Sequence, residues 1–200
     1  MAVNLQKGQK VDLTKGCAGL KNLMVGLGWD EAEQPSKGLF GGLFAKPKEE
    51  IDVDASVFML NNGKLAGLDD VVYYSNLKHK SGAIIHQGDN LTGAGVGDSE
   101  QIKVFLDKIP AGFDKLVFVV NIYRAVPRKQ HFGMVNNAYI RIVNDQNGEE
   151  LYRYNLSENY DGMTAMIFGE VYRHGTEWKF SAIGQATRDP ALQDLIKHYT

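Results

Sequence analysis

Residues 86–100 read HQGDNLTGAGVGDSE, which sets four glycines among the carboxylates of Asp89, Asp98 and Glu100. Glycine lets successive backbone carbonyls turn toward a common point. Two ligands suit such a stretch, a phosphate or a hard cation. A P-loop needs Lys-Ser or Lys-Thr after its glycines, and neither follows here. A dinucleotide site needs a helix to open directly after them, whereas QIKVFL at 101–106 alternates like a strand. The three carboxylates would also repel a polyanion. Calcium fits better, because it takes about six to eight oxygens from carboxylates, amides and carbonyls in flexible geometry.

One loop rarely supplies every ligand, and a second acidic element exists at Ile51-Asp52-Val53-Asp54-Ala55-Ser56. Residues two apart on a strand share a face, so Asp52, Asp54 and Ser56 are predicted to point the same way. Aligned carboxylates repel each other unless a cation sits among them. An EF-hand is excluded, since its central glycine and its terminal glutamate would fall on Val57 and Gly63. The five histidines lack zinc spacing. Cys17 has no recognisable base to activate it, and Arg124, Arg128, Lys129 and His131 read as a solvated basic turn.

The elements that would carry these residues show a period of two. Strands are predicted at 20–28, 51–60, 70–74, 82–86, 101–106, 115–123, 137–144, 149–155, 164–172 and 177–184, rich in Val, Ile, Tyr and Phe. Asn147-Gly148 and His174-Gly175 mark hairpin turns. This spacing predicts an all-β chain, an antiparallel β-sandwich with a short C-terminal helix. The helix is placed at 190–198, with Asp189 as its cap and Pro190 at its first position. Residues 31–50, EAEQPSKGLFGGLFAKPKEE, break the pattern and read as a long loop within a single domain spanning 1–200.

Bulk properties narrow the function further. A net charge of −2 and a pI near 6.2 give no footprint for nucleic acid. A single cysteine fits a reducing compartment. Neither a signal-peptide core nor a membrane-length apolar run is present. The expectation is a cytoplasmic protein, at most peripheral to the inner face of a membrane.

The motifs resemble a known family. GLGWD at 26–30, DVDAS at 52–56, HQGDNLTG at 86–93, GDSEQIKV at 97–104, KLVFVVNIY at 115–123, FGMVNNAYIRIVN at 132–144 and AMIFGEVYRHGTEWKFSAIGQ at 165–185 are similar, in order, to the TerD-type tellurium-resistance family. The resemblance runs from about residue 2 to residue 186, with the 31–50 loop outside it. It implies a β-sandwich that binds one or two calcium ions and is not an enzyme. It also implies partnership with other tellurium-resistance and stress proteins in multi-protein assemblies near the membrane. The calcium ligands so implied are Asp52, Asp54, Asp89, Asn90, carbonyls near Leu91 and Gly93, Asp98 and Glu100, with Asp30 joining or supporting them. Family members commonly read GDGDDE where residues 95–100 here read GVGDSE. Val96 and Ser99 thus replace two acids, and one of two ion positions is expected to be weaker or absent.

Three expectations follow. The first is a calcium-ordered binding module of the stress response. The alternative is a metal-dependent hydrolase using the same acids with Mg²⁺ or Mn²⁺. Separately, the two Leu-Phe pairs flanked by lysines at 37–48 could touch a membrane surface.

Overall fold

The computed structural model describes residues 2–17, 19–31, 50–89 and 97–200. Within them the strands are β1 (Val3–Leu5), β2 (Lys10–Asp12), β3 (Asn22–Glu31), β4 (Val53–Leu60), β5 (Val71–Val72), β6 (Ile84–Asp89), β7 (Glu100–Phe105), β8 (Lys115–Ile122), β9 (Val135–Asn144), β10 (Glu149–Asn155), β11 (Ala165–His174) and β12 (Glu177–Thr187). They form two six-stranded sheets. The first runs β1-β10-β9-β3-β7-β6 and the second β2-β12-β11-β8-β4-β5. The pairs are antiparallel except β1 with β10, which is parallel. The predicted sandwich is present, with two short strands, β1 and β2, added at its margins.

Alternation builds the core. In β7 the sequence EQIKVF buries every second residue, and Ile102 and Val104 face the other sheet. In β4 and just before it, Ile51, Val53, Ala55, Val57 and Met59 fill the space between the sheets. Phe58 and Leu60 face the other way, into a second apolar cluster. Burying two faces of one sheet explains why β4 and β8 read as nearly continuous apolar runs.

Both predicted hairpins close on a glycine in the left-handed region, Gly148 at φ 74° and Gly175 at φ 64°. The first turn is longer than the tightest hairpin, because Asn144 pairs with Glu149 across residues 145–148.

Helix is sparse. A single turn, α1 (Ala125–Arg128), occupies the basic segment expected to be a solvated turn, between Arg124 and Lys129, which are both left-handed. The C-terminal helix α2 (Leu192–Ile196) starts later than predicted, with Ala191 as N-cap and no side-chain cap bond. Asp189 does not cap it. Its carboxylate lies 2.9 Å from His198 Nε2, and its backbone oxygen accepts the Thr164 hydroxyl at 2.7 Å. Those two ties hold Asp189 and Pro190 outside the helix. Leu192 and Leu195 lay α2 over Phe58, Val117, Val119 and Ile167, on the outer face of the second sheet. No helix among the described residues is long and apolar enough to cross a membrane.

Candidate metal centre

The strand-borne acids lie where the spacing predicts. With Ile51, Val53 and Ala55 in the inner core, Asp52, Asp54 and Ser56 lie on the outer side of the second sheet. Asp52 is exposed just before β4, and its carbonyl accepts the Tyr123 backbone N–H at 2.7 Å. Asp54 is half-buried and stands opposite Asn121 of β8.

Glu100 opens β7 on the inner side of the first sheet and is buried. Its Oε2 accepts the backbone N–H of Ala55 at 2.7 Å. This contact joins the end of the acidic loop to the Asp-x-Asp strand. His86 flanks it. The Gly88 N–H donates to His86 Nδ1 at 3.0 Å, so a neutral His86 carries its proton on Nε2. That nitrogen stands 3.3 Å from Glu100 Oε2, close enough for an ion pair but poorly aligned for a hydrogen bond. Asp89 closes β6 opposite Glu100 in the register. The Asp89 side chain and the expected ligands Asn90, Leu91 and Gly93 lie outside the described residues, as does the 37–48 segment.

Asp98 and Asp30 go elsewhere. Asp98 lies against Gly26 of β3, with its side chain fully buried. Arg141 grips it with two parallel bonds, Nε to Oδ1 at 2.7 Å and Nη2 to Oδ2 at 2.8 Å. Tyr139 and Gln101 donate to it as well, at 3.0 and 3.1 Å. The Asp98 carboxylate bonded to Arg141 holds that guanidinium well above its usual range. Burial, then the Asp98 charge, pushes the Tyr139 phenol up to about 12. Glu150 accepts Arg141 Nη1 at 2.9 Å, and Arg153 lies 3.6 Å over the Tyr139 ring. Asp30 is exposed and accepts the Asn137 amide at 2.8 Å.

Glycine alternation on β3 makes this packing possible. A Cβ on Gly26 would collide with the Asp98 carboxylate, and one on Gly28 with the Tyr139 ring. The glycines of GLGWD therefore admit side chains close to the strand. Ser99 accepts the Trp29 backbone N–H at 3.3 Å.

The expected cluster thus divides. Asp52 and Asp54 lie on the outer side of the second sheet at the start of β4, Glu100 reaches the Ala55 backbone from the first sheet, and Asp98 and Asp30 are held by Arg141 and Asn137. Among the described residues, no three His, Cys, Asp or Glu side chains are arranged to hold a metal ion. A cation at β4 would draw also on amide, hydroxyl and carbonyl oxygens, which calcium accepts. Two such oxygens are available: Ser56 Oγ and Asn121 Oδ1 are buried without a hydrogen-bond partner. These residues fit a hard cation.

The comparisons agree with the fold. A family model of the TerD domain matches residues 1–199. The chain belongs to the TerD family. It is 54% identical over 199 residues to the stress response protein SCP2 of Bacillus subtilis, covering 100% of both chains. It is 46% identical over 186 residues to the tellurium resistance protein TerD of Serratia marcescens, covering 92% of this chain and 91% of that one. The crystal structure of SAV2460, a protein of unknown function, superposes with a TM-score of 0.68 at 19% identity, over 91% of this chain and 99% of that one. That likeness supports the sandwich alone.

Arg141, Tyr139 and Asn121 escaped the sequence reading. For the first two a signal existed, since glycines at alternate positions of a strand mark a close approach by another group. For Asn121 it was weaker, a lone amide in an apolar strand, where asparagine is depleted.

Proposed function

We propose that this TerD-family chain is a calcium-binding, non-enzymatic protein of the stress response, serving as a cation-ordered binding module for other tellurium-resistance and stress proteins. The observation that carries the reading is the 2.7 Å bond from the Ala55 N–H to Glu100. It brings an acid from the end of the 86–100 loop onto the backbone of the Asp-x-Asp strand, although the bonded residues are 45 positions apart. Asp52, Asp54 and Glu100 are the described carboxylates that would hold the ion, together with the ligands expected of Asp89, Asn90, Leu91 and Gly93. Asp98 stays with Arg141 and anchors the loop's base, and Asp30 stays with Asn137. The bound ion would neutralise the aligned acids and fix this end of the sandwich as a docking surface. The relatives' names, a stress response protein and a tellurium resistance protein, supply the biological class.

Thermal unfolding tests this. Calcium bound to the native state alone adds about 2.7 kcal/mol at about a hundredfold excess over its dissociation constant. The melting temperature should rise with CaCl₂ and return with a chelator, and Asp54→Asn should remove the response. Superimposable melts with and without calcium would contradict the reading. Mg²⁺ substituting fully for Ca²⁺ would favour the hydrolase instead.

A further inference from the structure

Residues 67–81 run from β5, at the margin of the second sheet, to β6, at the margin of the first. They leave Leu68 61%, Tyr74 58% and Leu77 42% exposed, three of the six large apolar side chains so exposed among the described residues. Single apolar groups in water are ordinary, whereas several on one short segment mark a contact surface. Lys78 and Lys80 are exposed beside them.

The segment is held too firmly to tuck these groups away. Tyr73 and Asn76 exchange backbone bonds at 3.1 and 2.8 Å, which closes a tight turn with Tyr74 at its tip. The Asn76 amide donates to the Val71 carbonyl at 2.7 Å and folds that turn back toward the short helical turn Leu68–Asp70. Beneath lies a buried polar chain. The Ser81 N–H donates to His79 Nδ1 at 3.2 Å, so a neutral His79 carries its proton on Nε2, 3.3 Å from Asp70 Oδ1. The His79 ring also meets Phe113 edge to face, with centroids 5.7 Å apart. His79 and Asp70 are 1% and 6% exposed, and they tie the two ends of the segment together. A surface fixed in advance loses little entropy on binding.

Charge selects the partner. Asp70 is taken up by His79, which leaves Asp69 as the exposed acid of the segment against Lys78 and Lys80. A tyrosine and two leucines between cations suit an interface that is anionic at its surface and apolar just beneath. Lysine stems can lie along such a surface while their ammonium groups reach phosphate.

We propose that residues 68–80 form a docking surface for an anionic lipid bilayer, with Leu68, Tyr74 and Leu77 entering the headgroup layer and Lys78 and Lys80 meeting lipid phosphate. The surface draws on none of the acids of the metal centre and goes beyond the calcium reading.

Co-sedimentation of the full chain with vesicles tests it, in the presence of a chelator so that calcium plays no part. Vesicles of phosphatidylcholine with about one-third phosphatidylglycerol should bind the chain, phosphatidylcholine alone should bind it at least about fivefold more weakly, and added salt should release it. Lys78→Gln with Lys80→Gln should weaken binding at least about fivefold. Tyr74→Ser with Leu77→Ser should do the same, and both double variants should melt with the unaltered chain because the altered side chains stand in water. No binding to the anionic vesicles would overturn the proposal, as would binding that both double variants retain in full, which would place the contact elsewhere on the chain. A mass that grows with protein concentration, lost in Tyr74→Ser with Leu77→Ser and without vesicle binding, would assign the surface to a second copy instead. None of these results bears on whether calcium binds.

Discussion

The outer faces of the two sheets handle buried polar groups in opposite ways. On the first sheet, Asp98 is enclosed by Arg141, Tyr139 and Gln101, and its charge is matched donor by donor. On the second, Ser56 and Asn121 bring oxygens into the interior with nothing donating to them. Asp98, which the resemblance implies to be a metal ligand, is therefore compensated by protein donors. The Ser56 hydroxyl of the Asp-x-Asp strand and the Asn121 amide oxygen, both neutral, are buried without such compensation. Acidic composition alone does not separate a matched carboxylate from an unmatched oxygen, and a tally of donors and acceptors does.

The contrast can be broken from either side. The largest effect is expected from Asp98→Ala, which takes the shared carboxylate from Tyr139 and leaves Arg141 with Glu150. Removing one partner of a buried pair costs about 3–5 kcal/mol, and the partial exposure of Arg141 puts this case near the lower end. Urea unfolding measures the loss, and calcium affinity should stay within about twofold of the unaltered chain. Gly26→Ala should cost about 1–3 kcal/mol by overpacking the same carboxylate. Asn121→Val should have the opposite sign. With calcium chelated it removes an unmatched acceptor and should leave stability unchanged or raised by about 1 kcal/mol.

The smallest effect concerns alkali. The Tyr139 phenol is pushed up to about 12, from an ordinary value of 10.0. A pKa raised on folding contributes stability that is fully present below the unfolded value and lost as pH rises through the folded one. Stability should therefore fall between about pH 10 and 12. Tyr139→Phe should make that fall shallower without abolishing it, because Tyr160 and Tyr199 are also pushed up to about 12 by burial. Unfolding midpoints across that range would show an unchanged slope if Tyr139 were exposed to solvent.

Most of the sandwich was legible because its strands are long and alternate. β1 and β2 were not, since three residues carry too little period and the parallel pairing of β1 has no turn to announce it. The start of α2 was misplaced because Asp189-Pro190 has the local form of a helix start, while its real partners, Thr164 and His198, lie outside any local window. At the site, the shared face of Asp52, Asp54 and Ser56 followed from strand geometry alone. The capture of Asp98 by Arg141 did not. It depends on Arg141, opposite Gly26 in β9, and Asp98, just before β7, both lying against Gly26, a register fixed by the whole sheet.

The central claim is that calcium binds at the β4 end of the second sheet and not at the acid pair of the first. Amide spectra of the isotope-labelled chain, recorded as CaCl₂ is added, test it most directly. The resonances of Asp54, Ala55, Glu100 and Asn121 should shift and saturate together, while those of Gly26, Tyr139 and Arg141 stay in place. Spectra unchanged at millimolar calcium, or shifts centred on Arg141, would contradict it.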